Sequence, residues 1–167
     1  MATINASNRY LVKSTAIVTE PLQPAFAAAI NAAGVSNFCG DGNEYTFPTT
    51  TEIFDQGGDF SSNTFTAPVT GRYQFNFTAE FQALTSVHNQ CYMNLVTTAR
   101  SYIVAYANPY AIGFTSGPNL YCDTFGCSLL VDMTAADTAI FKIYLAGNSK
   151  TVNILPGGTH FNGYLVC

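Results

Sequence analysis

Segment 59–81 constrains the fold more than any other part of the chain, because it places a turn between two alternating strands. Phe65 and Ala67 share one face of the first strand, and residues 68–71, Pro-Val-Thr-Gly, have the chain-breaking chemistry of a turn. In the second strand apolar and polar residues alternate, which predicts one face packed against a core and one face in water. The apolar positions of this strand are Tyr73, Phe75, Phe77, Ala79 and Phe81.

The composition favours a single domain whose subunits associate. Of the 167 residues, 48% are hydrophobic and only 10% are charged, and there are 13 Phe and 10 Tyr. This length suffices for one sizeable core, whereas an ordinary soluble domain has about 25% charged residues. Because a monomer with so few charges leaves a large apolar surface in water, we expect a homo-oligomer, whose interfaces are depleted of Lys, Glu and Asp.

Phe65, Pro68, Gly71, Tyr73 and Phe75 occur in an order and spacing that resemble the central signature of the C1q-like domain. That domain is a trimeric β jelly roll related in shape to tumour necrosis factor. The resemblance therefore implies a β jelly roll here, and a homotrimer as its oligomeric state.

Four further segments resemble the same family, in the order that the family requires. Residues 24–26, Pro-Ala-Phe, resemble its opening strand, and residues 53–55, Ile-Phe-Asp, resemble its short strand before the signature. Residues 128–143 resemble the two penultimate strands. Residues 159–166 resemble the closing strand, where a phenylalanine and a glycine precede an apolar run.

The resemblance covers residues 24–167 and implies a ten-stranded jelly-roll sandwich of two antiparallel sheets. We predict two parts, a short N-terminal arm at residues 1–22 and the jelly-roll domain at residues 23–167. In the turn between the penultimate strands, Ala136-Asp137 stands where the family usually has Gly-Asp. The residues assigned to the fold signature and core are Phe26, Phe65, Gly71, Tyr73, Phe75, Phe77, Asp137, Phe161, Gly163 and Leu165.

The remaining strands follow from alternation between turn-forming residues. Residues 23–33 are ambiguous, because their alanines favour a helix whereas their apolar residues alternate as in a strand; the resemblance favours the strand. Residues 34–43 and 108–123 are predicted to be irregular, since they are rich in Gly, Asn or Pro. The ten predicted strands lie near residues 23–33, 45–47, 51–55, 62–67, 71–82, 89–97, 100–107, 126–133, 138–146 and 158–166.

Charge and hydropathy exclude two classes of partner. The net charge is −4 and the six basic residues are scattered, so we expect no nucleic-acid binding. No apolar run approaches the roughly 20 residues that span a bilayer, so we expect no membrane insertion. The first residues lack the basic start and apolar segment of a secretory signal, which favours a product made in the cytoplasm or a mature form whose signal was replaced by an initiator Met.

The chain has five cysteines, an odd number that cannot be fully paired within one chain. We interpret them as small buried thiols made in a reducing compartment. The alternative is a disulfide between Cys122 and Cys127. No second Cys or His pair follows at the spacing of a zinc site. The five are Cys39, Cys91, Cys122, Cys127 and Cys167.

The sequence predicts neither enzymatic activity nor a cofactor. His88 and His160 are interpreted as structural, because neither accompanies a nucleophilic Ser or Cys in a known catalytic motif. Segment 55–59, Asp-Gln-Gly-Gly-Asp, has two carboxylates that suit calcium, and its glycines equally suit a plain turn. Asp55 and Asp59 are therefore weak calcium candidates.

We expect the protein to bind another protein or a surface through its shape. The first hypothesis is a virion structural protein made in the host cytoplasm, a homotrimer that cements or decorates a bacteriophage capsid or forms a head fibre. Its partner would be the major capsid protein or another virion protein. The arm would attach the trimer by strand addition or in a groove, or alternatively pack under its own trimer. The predicted attachment residues are Tyr10, Leu11, Val12, Ile17 and Val18.

Two hypotheses of other classes stay open. The second is the receptor-binding tip of a phage tail fibre, which would stack host-surface glycans on an aromatic segment. The third is a secreted C1q-like protein ligand, which the absence of a signal and of a collagen stalk disfavours. The residues predicted for surface recognition are Tyr106, Tyr110, Phe114 and Tyr121.

Overall fold

The chain folds into two six-stranded antiparallel sheets, with a separate two-stranded sheet near the N-terminus. The computed structural model describes residues 10–11, 17–18, 23–111 and 122–166. Within these ranges every regular element is a β-strand. The predicted all-β fold with two antiparallel sheets is therefore confirmed. The strands are β1 (Tyr10–Leu11), β2 (Ile17–Val18), β3 (Ala25–Ala29), β4 (Val35–Cys39), β5 (Glu44–Thr46), β6 (Thr51–Asp55), β7 (Phe60–Ser61), β8 (Thr64–Thr66), β9 (Gly71–Gln82), β10 (Gln90–Thr97), β11 (Ser101–Ala107), β12 (Cys122–Met133), β13 (Thr138–Ala146) and β14 (Val152–Leu165).

Each large sheet brings together strands that are distant in sequence. The first sheet has the order β12-β9-β14-β3-β6, and β4 also pairs with β14. The second sheet has the order β11-β10-β13-β8-β7, and β5 also pairs with β13. Strands that follow one another in the chain therefore often lie in different sheets, as in a jelly roll.

The core between the two sheets consists largely of aromatic rings. Phe77 of the first sheet stacks on Phe141 of the second with ring centroids 4.4 Å apart, and Phe26 stacks on Phe60 at 4.6 Å. The inward positions of β9 are all buried, and their polar neighbours in sequence lie on the outer face. The buried aromatic residues are Phe26, Phe38, Phe47, Phe60, Phe65, Tyr73, Phe75, Phe77, Phe81, Phe141 and Phe161.

The other signature residues have distinct places around this core. A Cβ atom at Gly163 would lie 2.6 Å from Cδ1 of Phe75 and 2.9 Å from Cε1 of Phe26, so only glycine fits there. Gly71 begins β9, and Leu165 is half-buried against the core.

Two predictions for the first half of the chain are wrong in detail. The predicted strand 62–67 is a hairpin, because Ser62 and Asn63 have positive φ of 50° and 66° and turn the chain between β7 and β8. The predicted loop 34–43 contains β4, whose irregular pairing with β14 and positive φ of 51° at Asn37 explain its loop-like sequence. The two large sheets accordingly contain twelve strands instead of ten.

The closing strand is longer than predicted. β14 begins at Val152 instead of near residue 158, although its sequence contains Pro156, Gly157 and Gly158. These residues lie where the pairing register between β14 and β9 shifts. Leu155 pairs with Glu80 before the shift, and His160 pairs with Thr78 after it. A bulge of this kind accommodates residues that normally interrupt a ladder.

The N-terminal arm pairs with itself in part. Tyr10 lies opposite Val18 and Leu11 opposite Ile17, in an antiparallel pair separate from the two large sheets. Val12 lies outside the described residues. The division of the chain at residue 22 stays a prediction.

The turn between β12 and β13 has an alanine, Ala136, at a position with positive φ. Ala136 has φ of +73°, in the left-handed region that disfavours a Cβ atom. The turn is held by the Asp137 carboxylate, whose Oδ2 accepts the backbone N–H of Thr134 at 2.8 Å. The turn also contacts the segment that follows β8, because the N–H of Ala136 donates to the carbonyl of Ala67 at 2.8 Å.

We therefore expect Ala136→Gly to stabilise the protein by about 0.5–1 kcal/mol, because the steric relief at positive φ exceeds the added entropy of the unfolded chain. Ala135→Gly is the matched control, since Ala135 lies in the same turn without positive φ, and it should destabilise by about 0.5–1 kcal/mol. Chemical denaturation of both variants measures the two effects. A lower free energy of unfolding for Ala136→Gly would contradict the turn geometry.

Candidate functional site

The outer face of the first sheet carries a patch that we call the uncharged face. It consists of outward side chains on three neighbouring strands, β12, β9 and β14, which alternate with buried core residues. Between Arg72 and Glu80, the described residues of these strands on this face include no Lys, Arg, Asp or Glu. We restrict the name to two rows of this surface, and Thr78 and His160 lie in the row beside them. The residues of the uncharged face are Gln74, Asn76, Ser128, Leu130, Asn162 and Tyr164.

A chain of hydrogen bonds crosses the uncharged face. Gln74 Nε2 donates to Ser128 Oγ at 2.7 Å, and Ser128 Oγ donates to Asn76 Oδ1 at 2.9 Å. Asn76 Nδ2 in turn donates to Asn162 Oδ1 at 2.9 Å. Because these side chains hold one another, their rotamers are already ordered before any partner binds.

Large apolar side chains flank this hydrogen-bonded chain. Leu130 and Tyr164, on either side of Gln74, are 50% and 44% exposed. Phe54, on the edge strand β6, is also half-exposed and lies in the row of Asn76 and Asn162. The face thus combines satisfied neutral polar groups with exposed apolar groups.

The outer face of the second sheet carries a different feature, which we call the tyrosine row. Tyr106, Tyr92 and Tyr144 lie directly opposite one another on β11, β10 and β13. The Tyr92 and Tyr144 rings are stacked with centroids 4.7 Å apart, and those of Tyr92 and Tyr106 are 6.5 Å apart. Both pairs are nearly parallel, at 7° between planes.

Three polar side chains lie beside the tyrosine row. Lys142 Nζ donates to Glu44 Oε2 at 3.2 Å, and Asn94 Nδ2 donates to Glu44 Oε1 at 2.8 Å. Partial burial, and then the charge of Glu44, raise the pKa of Tyr92. The row and these three residues form one continuous aromatic and polar surface.

Two of the four predicted recognition residues lie within the described part of the chain. Tyr106 and Tyr110 are 63% and 70% exposed, whereas Phe114 and Tyr121 lie outside the described residues. Sequence reasoning missed Tyr92 and Tyr144. Their outward positions in alternating strands were visible in the sequence, but their alignment depends on a pairing register that joins distant segments.

Asp55 has a structural role in its turn. Its Oδ1 accepts the backbone N–H of Asp59 at 3.1 Å, and its Oδ2 accepts that of Phe60 at 2.9 Å. Burial, and then the charge of Asp55, raise the pKa of Asp59. No cluster of three or more potential metal-ligating side chains occurs within the described ranges. The calcium hypothesis for this pair has no support from this geometry.

The thiols of Cys39, Cys91 and Cys127 are free. Cys39 and Cys91 are buried and Cys127 is partly buried. Burial raises the pKa of all three, to about 12 for Cys91 and about 11 for Cys127. The alternative Cys122–Cys127 disulfide is wrong, because five residues along one strand separate the backbones by roughly 16 Å, beyond the reach of such a bond.

A shallow cavity of about 450 Å³ at one end of the sandwich is lined by Arg72, Asp132 and Asp137, among others. Two of the charged side chains that line the cavity form an ion pair, since Arg72 Nε lies 3.0 Å from Asp132 Oδ1. Among the described residues, no helix is long and apolar enough to cross a lipid bilayer.

His88 is fully buried where several loops meet. Its Nδ1 accepts the backbone N–H of Thr85 at 3.2 Å, and its carbonyl accepts that of Tyr110 at 3.0 Å. Its Nε2 has no hydrogen-bond partner and lies 3.3 Å from the position of a Cβ at Gly40. Burial lowers the pKa of His88, against a smaller opposing effect of the Thr85 carbonyl oxygen, which lies 3.2 Å from Nδ1. The predicted structural role of this histidine fits these contacts.

Comparison with solved structures identifies the type of fold. No family model and no curated protein matches the chain. Among solved structures, the globular domain of zebrafish complement 1qA protein is 18% identical with a TM-score of 0.56, over 86% of this chain and 98% of that one. Murine APRIL is 11% identical with a TM-score of 0.57, over 86% of this chain and 99% of that one. These likenesses show a jelly roll of the C1q and tumour necrosis factor type.

The buried His88 predicts a loss of stability in mild acid. The unfolded chain takes up a proton at the ordinary pKa of about 6.5, whereas the folded protein does so only at lower pH. The contribution of His88 to the free energy of unfolding is therefore constant above about pH 6.5 and falls below it, by at most about 1.4 kcal/mol per pH unit.

Denaturation of wild type and His88→Gln between pH 5 and 7.5 tests this expectation. The variant should lose part of the pH slope, whatever its stability at neutral pH. Val87→Ala, an exposed neighbour in the same turn, should keep the wild-type slope. An equal slope in His88→Gln would show that His88 is not the responsible group.

Proposed function

We propose that this protein is a non-enzymatic homotrimer that displays its second sheet outward and associates through the uncharged face. We further propose that it serves on a virus particle, as a capsid cement, decoration or head-fibre protein. The observation that carries the proposal is the uncharged, pre-ordered face of the first sheet. Interfaces between permanently associated subunits have this character.

The uncharged face has three properties that favour self-association. A centre without charges avoids the desolvation penalty of burying ions. Its hydrogen-bonded chain, from Gln74 to Asn162, is already ordered, which reduces the entropy lost on binding. Its exposed Leu130 and Tyr164 supply apolar area that is unfavourable in water.

The number of subunits comes from the resemblance to C1q-like domains. Closed symmetry requires that each subunit use the same surfaces. A trimer also accounts for the low charged fraction of the chain, 10%, because part of the surface is removed from water in every copy.

The role on a particle has weaker but specific support. The free, buried thiols Cys39 and Cys91 suit a protein assembled in a reducing cytoplasm. The arm precedes the two large sheets, and its short strands contain apolar residues. It is therefore the candidate attachment element, with the major capsid protein or another virion protein as partner.

Two other functions have one observation each in their favour. The exposure of Tyr106 and Tyr110 favours the glycan-binding tip of a tail fibre. The likeness to zebrafish complement 1qA and murine APRIL favours a C1q-like protein ligand. In both cases the same trimer would present a recognition surface.

Leu130→Arg should convert the trimer into a monomer, because it would bury a guanidinium group in the uncharged face. Sedimentation equilibrium should give roughly three times 17.9 kDa for wild type and a single 17.9 kDa species for the variant. Far-ultraviolet circular dichroism should remain that of a β protein, since Leu130 is outside the core.

Ile103→Arg is the matched control, because Ile103 is also an exposed aliphatic residue, 64% against 50% for Leu130, and lies on the other sheet. It should remain trimeric. A wild-type protein that is monomeric at micromolar concentration would overturn the proposal. A trimeric Leu130→Arg variant would show that association uses another surface.

Deletion of residues 2–20 should leave a soluble trimer that no longer joins the particle, because strand addition by the arm would supply the attachment. Mass spectrometry of purified particles measures incorporation and copy number. Hundreds of copies per particle indicate capsid decoration, and a few indicate a fibre. Full occupancy by the truncated protein would place the attachment site in the loops of the jelly roll instead.

A further inference from the structure

Stabilisation of the sheet explains only part of the tyrosine row. Cross-strand aromatic pairs stabilise a sheet, and this accounts for the stacking of Tyr92 on Tyr144. It does not account for Tyr106, which is 63% exposed at the edge strand β11 and has one ring face directed away from the row. A large aromatic ring held in place with an open face is a ready contact surface.

The polar residues beside the row form a neutral group. Glu44 accepts hydrogen bonds at both carboxylate oxygens, from Asn94 and Lys142. The positive charge of Lys142 balances the negative charge of Glu44. An anionic or cationic ligand would therefore meet no free opposite charge within this group, whereas hydroxyl groups would meet both donors and acceptors.

Asn94 provides a second, independent sign of a ligand. It belongs to the outward series of β10, between the buried Met93 and Leu95, yet it is only 7% exposed. Its Oδ1 is buried without a hydrogen-bond partner. A buried acceptor without a donor is unfavourable by about 1–3 kcal/mol, and a hydroxyl donor reaching it would remove that penalty.

We propose that the tyrosine row, together with Glu44, Asn94 and Lys142, binds a neutral oligosaccharide. A sugar ring packs its C–H face on the open face of Tyr106. Further units run across Tyr92 and Tyr144, whose phenol groups are available to sugar hydroxyls. Glu44 at the far end, with Asn94 and Lys142 beside the row, bonds further hydroxyls, one of which donates to Asn94 Oδ1.

The width of the site favours an oligosaccharide over a single sugar. Tyr106, Tyr92, Tyr144 and Glu44 lie on four successive strands, β11, β10, β13 and β5. Three strand spacings correspond to about 14 Å. The order of strands in the sheet therefore sets the length of saccharide that the site accommodates.

The site is compatible with the proposed trimer but does not depend on it. It lies on the second sheet, whereas the uncharged face lies on the first. Sedimentation of each variant, run beside the binding assay, separates a failure of the saccharide site from a failure of association.

The test uses the full-length chain and a panel of neutral hexasaccharides, maltohexaose, cellohexaose, mannohexaose and N-acetylchitohexaose, with a heparin hexasaccharide as the anionic probe. Saturation-transfer NMR and calorimetry measure binding. We expect at least one neutral probe to bind saturably and the heparin probe not to bind. Tyr106→Ala should weaken binding about tenfold or more, equivalent to about 1.4 kcal/mol.

Two variants serve as controls for that effect. Tyr106→Phe keeps the ring and should stay within about threefold of wild type, a difference below about 1 kcal/mol. Val69→Ala, an exposed residue in the turn before β9, should bind as wild type. Unchanged melting temperatures establish that each variant is folded.

The proposal is overturned if no neutral probe binds up to about 10 mM, a bound that corresponds to roughly −3 kcal/mol. It is equally overturned if only heparin binds, or if a proline-rich decapeptide binds while every neutral saccharide fails. Binding that Tyr106→Ala leaves unchanged would also overturn it, because the sugar would then lie elsewhere.

Discussion

The interlocking of aromatic rings between the two sheets is the interaction on which the rest of the structure depends. Phe161 of β14 lies 4.9 Å, centroid to centroid, from both Phe26 of its own sheet and Phe141 of the other. Such edge-to-face contacts add to the burial of apolar area. A one-residue slip of β9 or β14 would turn these rings into water, so the core determines the register of both sheets.

Because the core occupies the inward positions, the outward positions are free to differ between the sheets. The first sheet carries neutral amides, a hydroxyl and exposed apolar groups, while the second carries stacked tyrosines beside a paired Glu44 and Lys142. A jelly roll supports many unrelated functions. The proposed association and recognition therefore depend on these two outer faces, and the fold serves mainly to hold them apart and rigid.

The parts of the fold that the sequence predicted well have local signals. The alternation in β9 and the turn before it need only period-two patterning and Pro-Gly chemistry, and β9 has the predicted bounds, Gly71–Gln82. The errors lie where tertiary pairing overrides local preference. β4 pairs despite Gly34 and Asn37 at positive φ, and β14 continues through Pro156 with a bulge.

The sequence by itself determined the fold class and the composition of the core, because strand alternation, turn residues and aromatic content are local properties that two sheets must satisfy. Only the tertiary structure decided which outward residues meet. Tyr92 and Tyr144 stack, and Asn76 bonds Asn162, because β10 pairs with β13 and β9 pairs with β14 in one register. Long-range pairing depends on the packing of the whole core, which no local pattern encodes.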